Sequence, residues 1–270
     1  MAVFEGNNIK RIWHNEEWWF VLEDIVFVLT NSKDPKQYIN KIKQRDKILL
    51  NGWVQIVHTL DVQTLGGNQK MNCVNIEGAF RIIQSIPSKK AEPIKLWLAK
   101  VGYERVEEIQ NPELAQKRMK KIYQKKGYSN DWIEKRVRGI AVRDELTDEW
   151  NKRGVKSKKE FAILTGGISK ATFDMTPNQY KKFKGLKNQN LRDHMDDLEL
   201  IFSMLGERVS TEITRKENVK GYKKVEDAAK RGGKVAGNAR KETEKELKRS
   251  IISKENYLSE SENKKRLLEK

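Results

Sequence analysis

EWWFVLEDIVFVLTNSKDPKQYINKIKQRD, residues Glu17–Asp46, decides the fold class. Its first six residues are bulky strand formers. Together with NIKRIWH (Asn8–His14) and the polar pair Asn15–Glu16 they read as an antiparallel hairpin that packs Ile9, Trp13, Trp19 and Val21. The pattern then changes. LEDIVFVLTNS reads as a short apolar helix ending at Asn31. SKDPKQYINKIKQRD reads as a second helix capped by Ser32 or Asp34, with Pro35 in its first turn, where a missing N–H costs nothing. A hairpin that runs straight into helices marks an α+β unit.

Moving outward, WVQIVHTLDVQT (Trp53–Thr64) is rich in β-branched residues and reads as one strand, LGGNQ as a turn, and KMNCVNI as the returning strand. EGAFRIIQSI reads as a helix that stops at Pro87. The next helix takes Ser88 as N-cap, and Ile94, Trp97, Leu98 and Val101 form one buried stripe, with Trp97 as a core anchor. That closes a first domain over residues 1–110.

Past Asn111–Pro112 the composition shifts. Residues 1–110 hold 15 Lys+Arg against 13 Asp+Glu, whereas 111–270 hold 40 against 25, so most of the net charge of +17 lies in the second part. A field of that sign concentrates polyanions, of which nucleic acid is the commonest. With 34% charged and 37% hydrophobic residues in a 270-residue chain, a core is affordable but part of the chain is expected to stay solvated. No apolar run is long enough to span a membrane and no secretory signal is visible. The single cysteine, Cys73, fits a reducing compartment, so a cytoplasmic location is expected.

The second part reads as helices. PELAQKRMKKIYQKKGYS turns Leu114, Met119, Ile122 and Tyr123 inward. SNDWIEKRVRGIAVRDELTDEWNKRGV, capped by Ser129 or Asn130, does the same with Trp132, Ile133, Val137, Ile140 and Leu146. KSKKEFAILTGGISKATFDMTPNQYKKFKGL is expected as two or three short helices broken at Gly166–Gly167 and Thr176–Pro177, with a faint helix-turn-helix character. NLRDHMDDLELIFSMLGERVSTEI is one helix on Leu191, Met195, Leu198, Phe202 and Leu205. The boundaries are 111–215 for a helical domain and 216–270 for a basic tail, partly disordered and partly helical.

Enzyme chemistry finds little support. His14, His58 and His194 are far apart in sequence and no zinc spacing exists. The best metal candidate, Asp193-His194-Asp196-Asp197, competes with an ordinary solvated face opposite Leu191, Met195 and Leu198, and magnesium nucleases draw carboxylates from several elements. GGKVAGNARK lacks the Gly-Lys-Ser/Thr ending of a phosphate loop. No catalytic residue, metal or cofactor is expected. Cations are a better lead. Lys117, Lys120, Lys121 and Lys125 can form one stripe, extended by Lys135, Arg136 and Arg143. KQYINKIKQR offers Lys36, Lys41, Lys43 and Arg45; the turn before the Trp97 helix offers Lys89 and Lys90; the tail offers Lys230, Arg231, Lys234, Arg240 and Lys241.

The first part resembles the Bro-N domain of phage antirepressors and baculovirus repeated-open-reading-frame proteins. Trp19, Phe20, Val21, Asp24, Ile25, Asp34, Pro35 and Ile39 match one family stretch, and Ile76, Glu77, Phe80, Arg81, Ile82, Ser88, Lys89, Ala91 and Trp97 match another. Gly66–Gly67 sits at the family's strand-to-strand turn; SIPSKK departs from the family by inserting prolines. The remainder is similar to the DNA-damage-inducible protein D type of bacterial and prophage protein. The resemblance implies a small N-terminal sheet with helices followed by a mostly helical region. It also implies a regulator without catalytic activity, linked to prophage induction or the SOS response. DNA is the expected partner, with a repressor or recombinase protein as a further one. The alternative is an antirepressor or recombinase-filament modulator that never touches DNA.

Overall fold

The computed structural model describes residues 2–4 and 7–268, and the chain divides between Leu114 and Ala115 into two compact units. In the first unit, β1 (Ala2–Phe4) and β2 (Asn7–Ile9) form a two-stranded ribbon. A four-stranded antiparallel sheet follows, built from β3 (Arg11–His14), β4 (Glu17–Val21), β5 (Val57–Thr64) and β6 (Gly67–Val74) in the order β3-β4-β6-β5. The β3–β4 turn falls on Asn15 and Glu16 as expected, both in left-handed backbone (φ 49° and 64°), which suits the twist of a two-residue hairpin.

Between β4 and β5 lie α1 (Leu22–Thr30), α2 (Pro35–Arg45), α3 (Lys47–Asn51) and the single turn α4 (Trp53–Ile56). After β6 come α5 (Ile76–Gln84) and α6 (Glu92–Gln110). The helices bury Leu22, Val26, Leu29, Ile42, Leu49, Ile82 and Ile86 together with Val74 of the sheet. Burial of one such side chain stabilises by roughly 1.5–3 kcal/mol. A smaller cluster joins Trp19, Val21, Val62 and Cys73, with Trp19 stacked on His58 at 4.5 Å.

Three expectations change here. Trp53–Ile56 is helical, not the start of a strand: Trp53 and Ile56 pack against the core, and a Cβ on Gly78 would lie 2.7 Å from Ile56 Cγ2, so the chain turns in to meet α5. Tertiary packing overrides local β-propensity. Ser88 does not cap α6. It opens a turn whose carbonyl accepts from Ala91 N–H at 3.0 Å, and α6 begins at Glu92 behind the buried Ala91. Trp97 is 51% exposed and touches only the edge of the core, its ring 5.7 Å from Phe80. The half-buried stripe of α6 runs through Ile94, Leu98 and Val101, and no residue of this helix is fully buried.

Asp46 ties the helices of this unit together. It caps α3 through Leu49 N–H at 2.9 Å and accepts from Ser85 Oγ at 2.7 Å and Arg81 at 2.8 Å on α5. The Leu49 amide first, then Ser85 and Arg81, hold its carboxyl far below the usual carboxylate range. A group depressed in this sense contributes stability above its unfolded value of about 4 and loses it as pH falls below that. Asp46→Asn is therefore expected to melt below the wild type at pH 7, and the gap to narrow steadily as pH falls below about 4. Thermal melts at stepped pH check this; parallel profiles refute it.

The second unit is helical. α7 (Glu113–Lys125) leads across the division into α8 (Asn130–Lys152), α9 (Lys158–Phe173), α10 (Pro177–Phe183), a 3-10 turn at Leu191–His194, α11 (Asp197–Lys216), α12 (Tyr222–Leu247) and α13 (Glu262–Leu268). Trp132, Trp150, Phe173 and Tyr180 fill its interior. With the sheet confined to the first unit, the architecture is the α+β arrangement expected.

Again the details differ. α9 runs unbroken through Gly166–Gly167, so no helix-turn-helix exists there; the break comes at Asp174, in left-handed backbone (φ 60°). α11 starts at Asp197, because Asp196 and Glu199 form a reciprocal capping box that fixes the first turn. The largest correction concerns residues 216–270. Gly232, Gly233 and Gly237 are not breaks in a disordered tail but the packing face of α12. A Cβ on Gly237 would stand 2.2 Å from the Ala171 carbonyl oxygen, and one on Gly232 2.2 Å from Ser210 Oγ. α12 lies in backbone contact with α9 and α11.

Candidate nucleic-acid interface

Whether a lysine or arginine can grip a phosphate depends on what it already holds. Arg136 is buried, its Nε 2.9 Å from Asp193. Arg143 donates to Glu207 at 3.1 Å and to Thr165, and burial pulls its guanidinium below its ordinary value while Glu207 opposes that shift. Arg240 is buried under α9, with Nε on the Thr172 carbonyl (2.8 Å) and the two terminal nitrogens on Asp174 and Glu244 (2.7 Å each). These three were expected on the DNA face. They are internal struts, because a cation on an inward helix face must be paired to be tolerated. Sequence spacing could not separate them from their outward neighbours.

Others are occupied at the surface. Lys120 pairs with Glu134, Lys135 with Asp197, Arg231 with Glu217 and Asp227, Lys230 with Glu226, and Lys241 lies 3.5 Å from Asp174. Lys90 Nζ donates to Asn31 at the end of α1 (2.9 Å), and Lys43 sits 4.4 Å over the Trp53 ring. Exposed pairs are worth about 0–1 kcal/mol, so a polyanion can displace them.

Of the cations expected to meet DNA, those without an ion-pair partner among the described residues lie in three places. On α7, Lys117, Lys121 and Lys125 are all exposed and recur every fourth residue, with a rise of about 6 Å per step along one side. No residue of α7 is fully buried; only Tyr123 reaches the core, between Tyr128 and Trp132. On α12, Lys223 and Lys234 are exposed and hold no ion pair among the described residues, and Lys230 and Lys241, already paired with Glu226 and Asp174, fall in line with them at helical spacing. Lys223 escaped the sequence analysis although the same spacing would have found it.

The third set is in the first unit. α2 is fixed by Asp34, whose carboxylate accepts from Gln37 N–H at 2.9 Å, and is anchored by Ile39 and Ile42. Its outer side exposes Lys36, Gln37, Asn40, Lys41, Gln44 and Arg45. Amide and guanidinium side chains on an exposed helix are the groups that read base edges in a major groove. The amides were not singled out from sequence, where only the cations drew notice. Lys89 is exposed on the turn before α6.

The acidic run at Asp193–Asp197 is spent on structure. Asp193 accepts from Arg136 and from the Tyr123 hydroxyl (3.2 Å), Asp196 caps α11, and Asp197 holds Lys135 at 2.8 Å. His194 Nδ1 accepts from Tyr257 N–H at 3.0 Å, and burial lowers its basicity. His194 and Asp197 sit on different elements and so do not share a helix face. Among the described residues no group of three or more His, Cys, Asp or Glu is arranged to hold a metal, and no helix is long and apolar enough to cross a membrane.

Residues 8–106 match the family described as BRO family, N-terminal domain. No curated protein matches the chain.

Proposed function

We propose that this chain, a BRO family protein by its N-terminal domain, is a non-enzymatic DNA-binding regulator. The observation that carries the proposal is the α7 stripe: three unpaired lysines in register, on a helix that presents them without burying a residue. The α12 lysines add contacts that set affinity without reading sequence. The exposed amides and cations of α2 supply groups able to discriminate bases. The resemblance of the helical unit to DNA-damage-inducible proteins supports a role in prophage induction or the DNA-damage response, with a repressor or recombinase as protein partner.

Fluorescence anisotropy on labelled duplex and single-stranded oligonucleotides, from about 50 to 300 mM salt, tests this. Affinity is expected to fall linearly on logarithmic axes, with a slope of about −0.9 for each phosphate neutralised on duplex. Absence of binding to both forms at the lowest salt overturns the proposal and leaves a protein that acts only by docking to another polypeptide.

A further inference from the structure

α6 carries a second apolar stripe, turned away from the core. Leu96, Ala99, Tyr103 and Val106 recur at spacings of three, four and three, and all are exposed, Leu96 and Tyr103 by 63% and Val106 by 54%. This is the spacing of a coiled-coil seam. A lone surface helix has no use for it, since single exposed apolar residues are ordinary but an aligned row is not.

The stripe is complementary to itself when reversed. Turned end for end about a two-fold axis near Val101, Leu96 faces Val106 of a second copy, and the small Ala99 faces the large Tyr103. The flanking charges follow the same symmetry. Lys95 and Lys100 lie on the first half of the helix and Glu104 and Glu107 on the second, and neither lysine has an ion-pair partner among the described residues. An antiparallel pair sets the basic half of one α6 beside the acidic half of the other, an arrangement that a two-fold interface satisfies twice.

We infer that α6 is a homodimer interface, in which two copies of this chain pair antiparallel through Leu96, Ala99, Tyr103 and Val106, with Lys100 against Glu107 of the second copy. It is independent of DNA binding, since none of the lysines assigned to DNA is on α6.

Sedimentation velocity of the full chain across a dilution series tests it. The wild type is expected to associate as a dimer in the micromolar range. Lys100→Glu and Glu107→Lys each place like charges together at two symmetric positions and are expected to weaken the dimer about tenfold. An equimolar mixture of the two variants, or the double variant, restores opposite charges and is expected to recover wild-type association. Leu96→Glu is expected to abolish it with unchanged circular dichroism. A wild type that stays monomeric at about 100 µM overturns the inference. So do charge variants that dimerise as the wild type does, and single variants whose mixture fails to recover.

Discussion

Gly237→Ala is expected to lower the melting temperature of the second unit, although alanine in place of glycine inside a helix ordinarily gains up to about 1 kcal/mol. The added methyl would stand 2.2 Å from the carbonyl oxygen of Ala171 and 3.5 Å from Thr172 Cα. Both are backbone atoms of α9, so no rotamer change relieves the clash; α12 has to back away and open its packing on α9. Overpacking of this kind costs about 1–3 kcal/mol, and more where the neighbour is rigid. With about 2–4 °C per kcal/mol for a unit of this size, a fall of roughly 2–12 °C follows. Gly232→Ala meets Ser210 backbone atoms at 2.5 and 2.6 Å and is expected to behave alike.

Gly166→Ala is the opposing case. It lies in the same helix that Gly237 touches, has nothing within 4 Å of its missing Cβ, and is expected to raise the melting temperature slightly. Differential scanning fluorimetry on the three variants reads both signs. If Gly237→Ala melts at or above the wild type, α12 is not in backbone contact with α9.

The same helix shows where sequence information ran out. GGKVAGNARK contains glycine, alanine and lysine in proportions typical of a solvated tail, and only a close neighbour turns Gly232, Gly233, Ala236 and Gly237 into a face. Nothing in the segment announces α9. Where local chemistry alone decides, the reading was sound. The β3–β4 hairpin, the Asp34–Pro35 start of α2, the Ser129 cap of α8 and the Trp132/Ile133/Leu146 core line all follow from side chains acting on their own backbone or on a helical period. Arg136 and Arg240 show the converse. Each looks like its exposed neighbours in sequence, and each is buried because Asp193 or Asp174 arrives from a distant element, Glu244 one turn along α12 adding a second partner to Arg240. Trp97 erred in the other direction: the i, i+3, i+4, i+7 rule finds the stripe that meets the core, through Ile94, Leu98 and Val101, but not that Trp97 sits at its exposed edge.

Removing the α7 stripe as Lys117→Gln/Lys121→Gln/Lys125→Gln is expected to produce the largest functional change. The three side chains are exposed and hold no ion pair among the described residues, so the core below, reached only through Tyr123, is left intact. Glutamine keeps helix propensity close to that of lysine and puts no negative charge at the helix C-terminus, where it would oppose the dipole. If each lysine neutralises one phosphate, loss of all three makes the duplex salt slope shallower by about 2.7 and weakens binding by roughly two to three orders of magnitude at 0.1 M salt. Arg240→Ala supplies the contrast. It removes a buried strut with carboxylates on two sides, so it is expected to lower the melting temperature while leaving the slope of the remaining folded protein unchanged. An unaltered salt slope in the triple variant would falsify the assignment of α7 to DNA and shift the burden to the lysines of α12.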